Sequence, residues 1–163
     1  MKYPSCILKG DNSSGRSMSI AYAKDNQQLD AGAKMIHLGK NTTSTIISKS
    51  ISESGGVANY RGLVKITKDA INSNAFVKCD TLILDHLSKS DTYPTNILLN
   101  NQSILEHEAT ISKISEEKLY YLMSKGLSEN KAKELIVTGF ISDFKEELPL
   151  EYAVEINRLL KEL

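Results

Sequence analysis

Short runs rich in β-branched residues, separated by Gly, Asn, Asp and Ser, follow one another from Tyr3 to about Ile114. No amphipathic pattern with a helical period persists in this region, so it predicts strands and turns. Strand starts recur at intervals of roughly 12 to 17 residues, which is typical of a wound all-β body. The predicted strands cover residues 6–8, 18–22, 34–38, 43–51, 60–66 and 76–84.

Two architectures fit this rhythm, a β-sandwich and a β-solenoid. A sandwich built from hairpins favours two-residue Asn-Gly or Asp-Gly turns, and such turns are missing from this sequence. Strands that mix apolar residues with Ser and Thr, joined by irregular corners, favour stacked coils that cover one another. We therefore predict a solenoid. Because such an array needs caps and its first strand begins almost at once, we expect a fragment of a longer protein that lacks its leading coils.

Helical patterns replace the strand pattern after Ile114. Ser115 and Ser128 are predicted to cap two amphipathic helices, and Gly139 is expected to interrupt the second one. Pro149 marks the start of a last helix, whose apolar stripe is formed by Tyr152, Ala153, Ile156, Leu159 and Leu160. The sequence thus predicts a β body over residues 1–114 and a helical domain over residues 115–163.

Charge and cysteine content exclude several classes of protein. The 163 residues include 20 acidic and 20 basic side chains, so no net charge would attract nucleic acid or an anionic membrane. The longest apolar runs fall far short of the roughly 20 residues that cross a bilayer, and we expect a soluble protein. Two cysteines are too few for a disulfide framework, which indicates a reducing compartment.

The residues with the most distinctive chemistry lie between positions 60 and 114. Cys79 is followed, 29 residues later, by the end of the run Glu106-His107-Glu108. A thiolate, an imidazole and carboxylates are side chains that bind iron or carry sulfur. On a regular strand Glu106 and Glu108 share one face, while His107 points to the other.

The remaining reactive residues are interpreted as structural. Cys6 precedes two apolar residues and is expected to pack in the core, and His37 and His86 are expected to be satisfied structural histidines. Arg61 with Gly62 is expected to form a tight corner. No catalytic residues are predicted, because glycines that would mark a nucleophile loop are missing around Cys79 and no phosphate-binding glycine loop is present. Acidic pairs on successive coils, expected of a carbohydrate enzyme, are likewise missing apart from Glu106 and Glu108.

Five separate blocks of this sequence carry a family resemblance; they cover residues 30–39, 44–49, 59–64, 79–80 and 106–114. In this order they resemble the C-terminal part of the SufB branch of the SufB/SufD family. These proteins are scaffold subunits of the SUF system, which assembles iron-sulfur clusters. Cys79 and Glu106-His107-Glu108 resemble the SufB version of two motifs in which SufD carries other residues.

This resemblance implies a right-handed parallel β-helix followed by a small helical domain. It implies that Cys79 and Glu108 are cluster or metal ligands near a subunit seam, with Glu106 and His107 in the same assembly motif. The C-terminal helices are expected to dock the ATPase subunit SufC, and the β-helix edge is expected to pair with SufD or a second SufB.

The implied function is that of a scaffold and not of an enzyme, with ATP hydrolysis supplied by SufC. The scaffold is expected to build and transfer a transient iron-sulfur cluster, and a reduced flavin is expected in the full complex. The expected location is the cytoplasm or the interior of a plastid-like or apicoplast-like organelle. The alternative is a non-catalytic β-solenoid module, a truncated paralogue that pairs with partners without assembling clusters.

Overall fold

A computed structural model describes residues 1–146 and 148–161 of the chain. The chain divides into two compact units, Met1–Ser112 and Lys113–Leu163. The first unit consists of strands and the second is mainly helical. The strands of the described residues are β1 (Ser5–Leu8), β2 (Ser14–Ala23), β3 (Gln28–Ala31), β4 (Lys34–His37), β5 (Thr43–Ser52), β6 (Val57–Ile66), β7 (Asn74–Ile83), β8 (Thr92–Leu98) and β9 (Ile104–Lys113).

The strands form two sheets with a coiled connection between them. One sheet has the order β1-β4-β6-β3, with β8 also paired to β6, and the other has the order β2-β5-β7-β9. Paired strands run parallel at a nearly constant separation along the chain, as in Ser14 with Thr43, Thr43 with Asn74 and Tyr60 with Thr92. One coil therefore takes about 30 residues, and about four coils are stacked. The prediction of a parallel β-helix is confirmed.

Three strands, β3, β8 and β9, lie outside the predicted ranges. Gln28–Ala31 contains polar residues and is only four residues long, so its composition does not indicate a strand. Thr92–Leu98 contains Pro94, which cannot donate a hydrogen bond to a neighbouring strand. β8 tolerates the proline because, among the described strands, it pairs only with β6.

At the same corner of three successive coils, an asparagine is followed by a hydroxyl residue. Asn12, Asn41 and Asn72 all have positive φ, a conformation that asparagine adopts more readily than most residues. The hydroxyl residues that follow stack from coil to coil: Thr42 Oγ1 lies 2.8 Å from Ser73 Oγ, and the Ser73 N–H donates to Ser103 Oγ at 3.0 Å. We call Ser13, Thr42, Ser73 and Ser103 the corner ladder.

His37 joins the corner ladder to the interior. Its ring is fully buried, with Nδ1 2.7 Å from Thr42 Oγ1 and Nε2 2.8 Å from Ser44 Oγ. The prediction of a satisfied structural histidine agrees with these contacts. Burial lowers the pKa of His37, because the charged ring would lose its hydration.

The hydrophobic interior lies between the two sheets, as the alternating burial of the strands indicates. Inward-facing side chains from both sheets form one cluster, which Cys6 and Leu105 border. At the edge of this cluster, Gly32 lets its own backbone approach the backbone of Arg61 closely, because a Cβ atom at residue 32 would lie 1.6 Å from the Arg61 carbonyl oxygen. The cluster consists of Ala33, Met35, Ile46, Tyr60, Val64, Ile66, Ala70, Ala75, Val77 and Cys79.

The helical unit contains α1 (Glu116–Ser124), α2 (Glu129–Phe140), α3 (Ser142–Glu146) and α4 (Leu150–Lys161). The predicted caps are present, since Ser115 Oγ accepts from Lys118 N–H and Ser128 Oγ from Lys131 N–H. The expected interruption at Gly139 is wrong: α2 continues through Gly139 and ends at Phe140. The side chains of Leu159 and Leu160, part of the predicted last stripe, lie outside the described residues. Within the described ranges, no helix has the length and apolar character to span a membrane.

Candidate functional site

Cys79 lies in the interior of the β-helix, on β7. Its side chain faces the other sheet as part of the hydrophobic cluster, and it is only 3% exposed. Strand alternation explains this position, because Ala75, Val77 and Thr81 share its inward face. The thiol is therefore closed to solvent within this chain.

The surroundings of Cys79 disfavour its charged form. Burial raises the pKa of the thiol to about 12, and the nearby Asp80 carboxylate adds to the increase, whereas the Tyr60 hydroxyl lowers the pKa. Tyr60 is 2% exposed, and its phenol pKa is raised by burial and by Cys79. The thiolate that binds iron or carries sulfur needs more stabilisation than the hydrophobic cluster alone provides.

The carboxylates of the β9 motif lie on the outer face of the β-helix. Glu106 and Glu108 are exposed, as is expected for alternate residues of a strand whose other face is turned inward. His107, between them, is half-buried. Both of its ring nitrogens are buried, and neither has a hydrogen-bond partner among the described residues. Burial lowers the pKa of His107, so the neutral ring, which can bind a metal, is favoured.

The register of the second sheet shows which of these side chains approach one another. The Ile104 N–H donates to the Ser73 carbonyl at 2.9 Å. The equivalent bond one coil earlier joins the Asn74 N–H to the Thr42 carbonyl. The Ile104 bond offsets β9 from β7 by about 30 residues, the length of one coil. When the same offset is continued along both strands, Ala109 lies beside Cys79 and His107 lies beside Val77.

The structure thus brings Cys79 and His107 to the same inner face, as diagonal neighbours on adjacent strands. The same offset places Glu108 beside Lys78, on the opposite face of the sheet. Lys78 also lies 3.9 Å from the Asp80 carboxylate. Cys79 and Glu108 therefore cannot hold one ion together within this chain in the described conformation. Among the described residues, no group of three or more His, Cys, Asp or Glu side chains is placed to bind a metal ion.

The other residues interpreted as structural occupy different places. Cys6 is half-buried on β1 and borders the core cluster, where a Cβ atom at Gly15 would lie 3.0 Å from its sulfur. His86 is exposed in the segment after β7. Neither residue lies in the β9 motif or next to Cys79 in the sheet register.

A second group of polar and aromatic side chains, which the sequence did not indicate, lines a surface cleft. A shallow cleft of about 320 Å³ on the first sheet is lined by Tyr3, Lys34, Arg61, Tyr93 and their neighbours. Arg61 Nε donates to the Asp30 carboxylate at 2.9 Å, and its guanidinium lies 4.3 Å from the centre of the Tyr93 ring. These residues are scattered over the sequence, so only the coil register, which stacks β6 on β8, brings them together.

Comparison with known proteins gives one consistent result. Residues 1–140 match the family model described as "SUF system FeS cluster assembly, SufBD core domain". The chain is 58% identical to the Bacillus subtilis strain 168 protein named iron-sulfur cluster assembly protein SufB. It is 56% identical to SufBD family proteins of Staphylococcus aureus strains USA300 and NCTC 8325. Each match covers 99% of this chain but 35% of the relative, so the chain spans about a third of their length.

Proposed function

Because the chain belongs to the SufB/SufD family of the SUF iron-sulfur cluster assembly system, we propose that it is part of a scaffold subunit on which a nascent cluster is built. The observation that carries this proposal is the similarity over almost the whole chain to a protein named SufB. The cluster is the cargo of such a scaffold, which holds it and then transfers it. The proposed role is not enzymatic.

Cys79 is the proposed sulfur-bearing residue and cluster ligand. His107 is the proposed second ligand of the cluster. Both of its ring nitrogens are buried and have no hydrogen-bond partner in the described part of the chain, and the side chain lies on the same inner face as Cys79. A histidine or carboxylate ligand binds iron less tightly than a further thiolate and suits a cluster that must be released. Glu106 and Glu108 lie on the opposite face of the sheet from Cys79, so their proposed role as carboxylate ligands, Glu108 to the metal, requires these strands to rearrange during assembly.

The proposed partners use two different surfaces. β9 ends the order of its sheet, so its outer edge has no strand partner among the described residues, and we propose that SufD or a second SufB pairs there. Exposed apolar side chains on α1 and α4, such as Tyr120, Tyr121, Tyr152 and Val154, are the proposed docking surface for SufC. ATP hydrolysis by SufC, a reduced flavin in the full complex, and a cytoplasmic location belong to the same proposal.

Anaerobic reconstitution of the complete complex tests the role of Cys79. Iron and a sulfur source are added to the full-length subunit with its partners, and cluster formation is followed by visible absorbance. We expect Cys79→Ser to abolish cluster formation and His107→Ala to slow it. Cys6→Ser is the matched control, because it removes a thiol that borders the same core, and we expect a normal rate. A normal rate with Cys79→Ser would remove Cys79 from this role.

The alternative function is an interaction module that does not assemble clusters. The burial of Cys79 at 3% exposure favours this alternative, because a closed thiol cannot meet iron until the surrounding coils move. Complexes that form with normal affinity, but acquire no cluster absorbance that depends on Cys79, would support the module.

A further inference from the structure

The cleft on the first sheet has two cationic side chains in its lining. Lys34 on β4 and Arg61 on β6 are both exposed. Among the described residues, no acidic side chain is part of this lining. The cleft therefore presents positive charge, together with the hydroxyl groups of a tyrosine and a threonine. The uncharged rest of the lining consists of Tyr3, Gly62, Leu63, Tyr93 and Thr95.

The register of the first sheet brings the two cations to the same face. Lys34 pairs with Leu63, which in turn pairs with Thr95. Arg61 precedes Leu63 by two positions on β6, so it is the diagonal neighbour of Lys34 on that face. Strand spacing and rise place the Cα atoms of the two cationic residues roughly 8 Å apart. Long side chains at this separation can converge on one anion.

A missing side chain leaves room beside Arg61. The bond from the Gly32 N–H to the Lys2 carbonyl, at 3.1 Å, places Tyr3 beside Gly32 in the neighbouring coil. On its other side Gly32 lies against the Arg61 backbone, where a Cβ atom would meet the carbonyl oxygen at 1.6 Å. Gly32 thus separates Tyr3 from Arg61 without filling the space between their side chains.

Arg61 is held in place by two contacts within the chain. It lies inside β6, and the tight corner expected from the sequence at this position is wrong. Its Nε donates to the Asp30 carboxylate at 2.9 Å, and its guanidinium lies 4.3 Å from the centre of the Tyr93 ring. The bond from Nε does not use the terminal nitrogens, which form the fork that binds carboxylate and phosphate groups. The Arg61 side chain is 50% exposed and that of Asp30 only 14%, so the cation is the group that faces solvent.

We propose that this cleft binds a small, doubly charged oxyanion, a phosphate or a dicarboxylate, between Lys34 and Arg61. Asp30 offsets only one of the two cations, so a net positive charge remains for the ligand. The volume of about 320 Å³ lies at the lower end of the range for small-molecule sites, which is roughly 300–1,000 Å³. The cleft lies on the first sheet, whereas Cys79 and His107 lie on strands of the second, so the anion site does not depend on the proposed function.

Isothermal titration calorimetry of the full-length subunit, at about 0.1 M salt, tests the anion site. Inorganic phosphate and malonate are the two probes, and uncharged malonamide is the control ligand. We expect saturable binding of at least one anion and no binding of malonamide. The anion with the lower Kd identifies the ligand class. We expect Lys34→Gln and Arg61→Gln each to raise that Kd roughly tenfold, because each removes a charge-assisted hydrogen bond.

Lys68→Gln is the matched control variant. It removes the same charge from an exposed position beyond the end of β6, more than about 15 Å along the chain from Arg61. This distance exceeds the screening length of about 10 Å at that salt concentration, so we expect the Kd to stay within about twofold of wild type. Far-UV circular dichroism checks that each variant is folded, and the exposed Lys34 gives a variant that leaves the core intact. No saturable binding of either anion, or an equal loss with Lys68→Gln, would overturn the proposal.

Discussion

Replacing Ser73 by alanine tests whether the corner ladder holds neighbouring coils together. Ser73 Oγ accepts a hydrogen bond from the Thr42 N–H at 3.1 Å and lies 2.8 Å from Thr42 Oγ1, and both residues are fully buried. The substitution removes a neutral side-chain hydrogen bond worth about 1 kcal/mol. It also leaves the Thr42 N–H buried without an acceptor, at a cost of about 1–3 kcal/mol. We expect a total loss of about 2–4 kcal/mol in the free energy of unfolding.

Urea unfolding followed by far-UV circular dichroism measures this loss. A change of that size lowers the urea midpoint by roughly 1–2 M when the slope is about 2 kcal/mol per M. Ser13→Ala is the matched control from the first coil, because the Ser13 hydroxyl donates to the Gly10 carbonyl in an exposed position. We expect the control to stay within about 0.5 kcal/mol of wild type. A Ser73→Ala protein within the same limit would refute the reasoning that the buried N–H depends on this hydroxyl.

Three further predictions concern pH, backbone approach and helix capping. Burial lowers the pKa of His37 and of His107 below the ordinary 6.5, so on acidification the unfolded chain binds these two protons before the folded chain does. The free energy of unfolding, measured with urea, should therefore be highest above about pH 6.5 and decrease toward pH 5. A free energy that does not change over this range would contradict the prediction. Gly32→Ala should destabilise the β-helix by several kcal/mol in the same assay, because the new Cβ atom meets a backbone carbonyl, whereas Gly10→Ala has open space and should cost little. Ser115→Ala should cost about 1 kcal/mol through loss of the α1 cap, and an unchanged thermal midpoint would argue against that cap.

The strand rhythm limited the architecture to a β-sandwich or a β-solenoid. The solenoid was preferred because hairpin turns are missing, and the parallel β-helix of the structure confirms it. The sequence also contains a sharper signal, a repeated asparagine. Asn12, Asn41 and Asn72 recur at one coil length, each followed by Ser or Thr, and the structure places them at stacked corners. A search for this repeat would have given the coil length directly.

The geometry of the candidate site was only partly predictable. Strand alternation correctly separated His107 from Glu106 and Glu108, because side-chain direction on a strand depends only on parity. The association of Cys79 with His107 depends on the register between β7 and β9, which no single strand encodes. The burial of Cys79 depends likewise on Tyr60 from the opposite sheet. The roles of these residues in cluster assembly stay predictions.

The nearly constant length of one coil limits which insertions and deletions the fold can accept during evolution. Removing or duplicating one complete turn of about 30 residues leaves every inward side chain inward, since each turn contacts only the turns above and below it. Adding a single residue within a strand instead reverses the faces of all residues up to the next corner. Length variation among relatives should therefore occur in whole turns, or as small insertions confined to the bends.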